Sequence, residues 1–241
     1  MILSVLVDYG GTKTRVLALG ARRRTVRKLT VPSKPLPQLP SILRKIFRKW
    51  RVSNLPNLTI GAKSVWSKRK RQWLHRRARS LAAQVVVQSD VELAYGQAFG
   101  SKPGILIIAG TGSIALGKNK RGRMARAGGL GPKKGDEGSA FWIGKSYRGA
   151  RVKNLSFKSV QSLAKLAPQV MGRAQKGNAL CQKIIQEAQR HLAGLVVSVG
   201  KKLGLKGKIS VLCAGGLFQS SYFKSGFRRS LHLLRPANAS F

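Results

Sequence analysis

The chain has 241 residues, 43% of them hydrophobic, which suffices for a packed core and excludes a disordered basic tail. Its 47 lysines and arginines against 6 acids give a formal charge of +41, which predicts salt-sensitive attraction to any polyanion. The least polar stretch, 103–117, is broken by Gly, Thr and Ser and falls short of the roughly 18 apolar residues a spanning helix needs, so no membrane segment is expected.

The opening MILSVLV runs into Asp8 without a basic n-region or small-residue cleavage site, so no signal peptide is expected and a cytoplasmic location follows. Residues 2–7 read as a buried strand, turning at Gly10-Gly11 into a second strand over 14–20. A third, basic strand is expected over 21–31, then the proline-rich loop 31–40, a helix over 41–50 and a strand over 57–62. A strongly basic helix (67–83), the strand 84–89 ending at Asp90, and a small-residue helix complete the first half. The second half opens with strand 104–110, a turn at Gly110-Thr111-Gly112, and strands over 113–118 and 123–129. Helical patterns cover 136–150, 158–175 and 177–204; a strand over 208–214 ends in Gly215-Gly216, and a last helix follows. Two lobes of related αβ design, each opening with a strand–glycine–strand hairpin, are the simplest architecture, with boundaries set at 1–100 and 101–241.

Asp8, Asp90 and Asp136 are the chain's three aspartates, and each ends an apolar run or lies in a glycine-rich segment. Glycines in GGT (10–12) and GTGS (110–113) leave backbone N–H groups uncovered at tight turns, an arrangement that binds phosphate oxygens. A carboxylate beside polyphosphate is repelled unless a cation lies between them, so Asp8 is expected to anchor Mg²⁺, which needs few protein ligands. Asp90 reads either as a helix N-cap or as a group presented into a cleft. Beside two phosphate loops, the role of general base for a hydroxyl is favoured. Asp136 could cap a helix starting at Glu137, while the glycines around it suggest close backbone approach to a ligand.

Gly144-Lys145-Ser146 is no P-loop, because position 139 is serine where the first Walker glycine should stand. GTGSIAL lacks the third glycine of a dinucleotide fingerprint and leads into a strand. His75, His191 and His232 are isolated and lack a paired nucleophile, which leaves a hydrolase triad unsupported. Cys181 and Cys213 are too few for a disulfide framework or zinc site.

The ordered set DYGGTKT, QSDVELA, AGTGSIALG, GGLGPKKGDEGSAFWIG and CAGGLF resembles the N-acetylglucosamine kinase-like branch of the BadF/BadG/BcrA/BcrD-type ATPase family over residues 1 to about 220. The resemblance implies an α/β actin-like ATPase fold, two ribonuclease-H-like lobes with a nucleotide cleft between them. It implies ATP and Mg²⁺ as cofactors, with Asp8, Gly10, Gly11, Thr12, Lys13 and Thr14 handling Mg²⁺ and the terminal phosphates. Gly110, Thr111, Gly112 and Ser113 would hold the β/γ-phosphates, and Gly215 and Gly216 would match the adenosine motif. Asp90 would deprotonate the sugar hydroxyl, and Asp136, with Gly129 and Gly131, would bind the sugar. The chain departs from that pattern at Gly129-Leu130-Gly131, where the kinases commonly have Gly-Trp-Gly, at the loop 32–41, and at Tyr9, which leaves the sugar open. The cysteines do not match the iron–sulfur positions of the dehydratase-activator branch.

The expected function is ATP-dependent phosphoryl transfer to a sugar or amino-sugar hydroxyl. The alternatives are a nucleotide-driven switch for a protein partner and a non-enzymatic nucleic-acid-binding protein on the same fold. Basic clusters at 22–24, 44–51, 68–79 and 227–229 are spread along the chain, so non-specific polyanion binding is expected rather than one dedicated surface. A small-molecule sugar is the expected partner, and a homodimer is left open.

Overall fold

The computed structural model describes residues 2–63, 65–150, 159–234 and 239–240. The chain divides into two compact units, Met1–Gln97 and Ala98–Phe241.

The first unit contains β1 (Ser4–Tyr9), β2 (Lys13–Leu19), β3 (Thr25–Pro32), α1 (Leu39–Lys49), β4 (Asn57–Ala62), α2 (Lys68–Ala78), β5 (Gln84–Ser89) and the start of α3 (Asp90–Phe99). Val5 and Val7 on β1 and Val16 and Ala18 on β2 are fully buried at alternate positions, the period a strand with one core face requires. The sheet order is β3-β2-β1-β4-β5. β2 is antiparallel to β1 and β3, whereas β4 runs parallel to β1 and β5 to β4. The parallel β4–β5 pair needs a crossover, which α2 supplies.

Two expected elements are shorter than their sequence patterns. The third strand starts at Thr25, because Ala21–Arg23 forms a 3₁₀ turn with Arg22 at φ 52° to reverse the chain after β2. The basic helix stops at Ala78 and passes into another 3₁₀ turn, Arg79–Leu81, that returns the chain to β5.

The second unit contains β6 (Gly104–Ala109), β7 (Ser113–Lys118), β8 (Met124–Gly128), α4 (Ala140–Gly149), α5 (Val160–Ala164), α6 (Ala167–Gln175), α7 (Ala179–Leu203), β9 (Gly207–Lys208), β10 (Val211–Ala214), α8 (Ser221–Leu234) and β11 (Ala239–Ser240). Its main sheet, β10-β6-β7-β8, repeats the plan of β4-β1-β2-β3: an antiparallel hairpin, a third antiparallel strand, and a parallel strand on the other side of the first. β9 and β11 form a separate parallel pair. α7 is capped by Asn178, whose side chain accepts the N–H of Cys181 at 3.0 Å, and ends at Gly204 in the left-handed region. Its apolar stripe, including Ile185, Leu192, Val196 and Val199, lies in the same core as Ile105, Ile107 and Ala115 of the sheet. The approach is close: a Cβ at Gly117 would lie 2.5 Å from a Val199 methyl.

The expected helix over 136–150 starts only at Ala140, and its earlier residues form the glycine-rich turn described below. The start of the helix expected from 158 lies outside the described residues, and the remainder divides into α5 and α6, with a proline in the first turn of α6. β10 starts at Val211 rather than at 208. Among the described residues, no helix is long and apolar enough to cross a membrane.

Candidate active site

Register fixes the first group of residues. Tyr9, Ala62 and Ser89 are aligned across β1, β4 and β5, so Gly10, Lys63 and Asp90 are the next residues on three adjacent strands at their carboxyl ends. Open α/β sheets bind ligands at these ends.

Asp90 is the first residue of α3 but not its cap. Ser89 Oγ accepts the Glu92 N–H at 3.1 Å, and Glu92 Oε2 accepts from the Ser89 N–H and hydroxyl, each at 2.8 Å. This is a reciprocal capping box of the form S-x-x-E. Glu92 is held in turn by Arg71, whose Nη2 lies 2.9 Å from Oε2. The Asp90 carboxylate accepts the Val91 N–H at 3.0 Å. Burial, and next the charge of Asp8, push its pKa up from the usual aspartate value, opposed by the Val91 hydrogen bond and by Lys63. α3 can approach β4 because position 61 is glycine; a Cβ there would lie 2.5 Å from Leu93 Cβ.

Asp8, on β1, keeps 40% of its side-chain exposure and meets Arg15 at 3.3 Å. The turn after it is closed by Gly10 N–H donating to Lys13 O at 3.1 Å. Gly11, Thr12 and Lys13 are exposed, and the N–H groups of Gly11 and Thr12 make no hydrogen bond among the described residues. Thr14, expected among the phosphate ligands, is 2% exposed and shares a 2.9 Å hydrogen bond with Ser33. Ser33 also donates its hydroxyl to Gly10 O at 2.9 Å and its N–H to Thr12 O at 2.9 Å. Thr14 therefore braces the turn from behind. Ser33 belongs to the proline-rich loop, whose residue pattern carries no sign of a tie to the glycine turn.

The second group lies in the second unit. Gly110 N–H donates to Gly112 O at 2.9 Å, closing the GTGS turn, and Thr111 is exposed. The N–H groups of Thr111 and Gly112 make no hydrogen bond among the described residues, matching the first turn. Ser113 is buried, its hydroxyl donating to Glu137 O at 2.7 Å. Asp136, expected to cap a helix or to grip a sugar, is not the helix cap. The cap of α4 is Ser139, which accepts the Trp142 N–H at 3.2 Å. Asp136 has φ 65°, is 8% exposed, and accepts the Ser113 N–H at 3.3 Å. Its carboxylate lies about where a Gly112 side chain would begin, 3.0 Å from an ideal Cβ. The first N–H groups of α4, from Ala140 and Phe141, are taken by Gly110 O and Thr111 O.

Gly215 and Gly216 follow β10 and are exposed. A side chain on Gly215 would strike Ala109 O at 2.3 Å, so the CAGG segment abuts the last residue before the GTGS turn. Gly129 has φ 68°, and a Cβ there would reach Ile114 at 2.5 Å, so packing against β7 accounts for this glycine. Gly131 has φ 84° in open space. Gly110 and Gly216 differ from both: they have open surroundings and no positive φ, so nothing within the fold demands glycine there.

The structure thus gathers Asp8, the GGT turn and Asp90 in one unit, and the GTGS turn, Asp136 and the CAGG segment in the other. Sequence reasoning missed Lys63, Ser33 and Glu92. Only Glu92 had a signal, the Ser89-x-x-Glu92 spacing. His191 packs edge-on against Trp142 with ring centroids 5.1 Å apart, and no cluster of three or more potential metal-ligating side chains occurs among the described residues.

The model of the BadF/BadG/BcrA/BcrD ATPase family matches residues 7–232. The chain is 32% identical to an N-acetylmuramic acid/N-acetylglucosamine kinase of Clostridium acetobutylicum over 186 residues, 64% of this chain and 61% of that protein. It therefore spans less than two thirds of that relative's length. It is 24% identical to an N-acetyl-D-glucosamine kinase of Dictyostelium discoideum, covering 87% of this chain and 83% of the relative. A solved structure from Chromobacterium violaceum, assigned as an N-acetylglucosamine kinase, superposes with a TM-score of 0.70 at 20% identity, covering 96% of this chain and 91% of that one.

Proposed function

Because the chain belongs to the BadF/BadG/BcrA/BcrD ATPase family, we propose that it transfers the terminal phosphoryl group of ATP to a hydroxyl of a sugar or N-acetylated amino sugar. The observation that carries this reading is Asp90. It stands at a strand end, relieved of helix capping by Ser89 and Glu92, with its pKa raised toward that of a working base. The names of the two curated relatives support the acceptor class.

In the proposed reaction the acceptor oxygen attacks the terminal phosphorus, and its proton passes to the Asp90 carboxylate. A new P–O bond forms as the bond to the β-phosphate oxygen breaks, and ADP leaves with that electron pair. Within the first unit we assign the free N–H groups of Gly11 and Thr12 to phosphate oxygens, with Lys13 contributing charge; within the second, those of Thr111 and Gly112 form a phosphate-binding turn of the same kind. Thr14, Ser33, Ser113 and Asp136 hold those turns in shape. The open space at Gly110 and Gly216 suits close approach of the nucleotide. The part-exposed Asp8 carboxylate is a hard oxygen donor that fits Mg²⁺ with most of its waters retained. Asp8 would hold the ion, which when bound neutralises phosphate charge.

ATP use sets the work in the cytoplasm, and the cationic excess adds non-specific polyanion binding that salt should remove. An ADP-release assay over a panel of hexoses and N-acetylhexosamines tests the proposal. Release that depends on one sugar class supports it. ATP hydrolysis indifferent to every sugar would favour a nucleotide-driven switch instead.

A further inference from the structure

We infer that Lys63 is a catalytic cation of this site, contacting the phosphoryl group as it passes from nucleotide to acceptor; the inference rests on the kinase reading above. Lys63 directly follows β4, the strand between β1 and β5, so register sets it between the glycine turn and Asp90. Its backbone is fixed, with the N–H donating to Tyr9 O at 2.9 Å, one step beyond Asp8.

The side chain then folds across the turn. Its Nζ lies 3.2 Å, and its Cδ 3.7 Å, from the position a Cβ on Gly11 would take. A side chain at position 11 would crowd the ammonium, and glycine leaves that space open. Among the described residues, Lys63 is the cation whose charge acts on Asp90. One ammonium thus lies against the phosphate turn and within electrostatic reach of the base.

A group transferred from the turn to a hydroxyl activated by Asp90 must cross this position. Negative charge spreads over the equatorial oxygens during transfer, and a fixed cation there stabilises the crossing more than the starting state. Lysine supplies a compact point charge without the forked geometry of arginine.

The test compares wild type with Lys63→Met and Lys63→Arg in two measurements. Lys63 is exposed, so ligand-free melting temperatures of all three should agree and confirm folding. With the sugar that wild type accepts, K63M should lose at least 100-fold in kcat while the sugar KM stays within threefold, and K63R should recover part of the loss. Binding of a non-hydrolysable ATP analogue and of ADP, each with Mg²⁺, is read in parallel. K63M should weaken the analogue about tenfold and ADP less than threefold, because ADP lacks the terminal group. A kcat within twofold of wild type, or equal weakening of the two nucleotides, would overturn the inference. Should wild type phosphorylate no sugar, the kinase reading fails, and the analogue-to-ADP ratio still decides the assignment of Lys63.

Discussion

The acidity of Asp90 has consequences for both rate and stability. Its carboxyl is held above the usual aspartate value of 3.8 chiefly by burial, so the ionised form is disfavoured in the folded state. With the folded value raised, the stability associated with protonated Asp90 is complete below the unfolded value and lost as pH rises through the folded one. Asp90→Asn should therefore melt at a higher temperature than wild type at pH 7, with the difference vanishing below about pH 4. In wild type, the acidic limb of kcat/KM should lie above the ordinary aspartate range, a shift that a pH–rate profile would detect. A variant more stable than wild type and yet inactive marks a site where function is held against stability. That Asp90 stands at a strand end was legible from its place after an apolar run. That it is free to act was not, because the cap belongs to Ser89 and Glu92, and a hydrogen-bond partner is settled only by the geometry of the turn. Lys63 was hidden for another reason. In a chain with 47 cations no single lysine stands out, and register alone separates it from the rest.

At the scale of elements, the site depends on how closely α3 approaches the sheet. Gly61→Ala would force its methyl against Leu93, which overlaps it at 2.5–2.6 Å. Overpacking of this kind costs about 1–3 kcal/mol, and here it also pushes the helix bearing Asp90 away from β4. Chemical denaturation should show the loss of stability, and kcat should fall while nucleotide affinity holds. Ser89→Ala tests the capping box separately and should cost about 1 kcal/mol by denaturation, with a smaller drop in kcat. Strand order within each hairpin, the long helix over 177–204 and the glycine turns were readable because period-2 and period-3.6 patterns and caps are local signals. Helix starts in the glycine-rich segment were not. Asp136 lies in the left-handed region, and its carboxylate serves a turn 23 residues away in sequence.

For the whole molecule, a charge of +41 implies self-repulsion that screening relieves. The Debye length falls from about 30 Å at 0.01 M salt to about 8 Å at physiological strength. The melting temperature should therefore rise over that range, whereas a protein with balanced charge would show little change. Binding to duplex DNA should weaken steeply with salt and show no sequence preference. Duplex affinity that persisted at high salt with a preferred sequence would revive a dedicated nucleic-acid role. Composition made the charge plain, but it carries no information about the fold, and the motifs that do carry it hold only a few of the charged residues.

The most direct test of the account is sugar-dependent ADP release by Asp90→Asn against wild type, with ATP affinity measured on the same preparations. The variant should lose at least about 100-fold in turnover, the scale of general-base catalysis, while binding ATP within threefold of wild type. Turnover retained within tenfold would remove Asp90 from the chemistry, and with it the observation on which the proposed reaction rests.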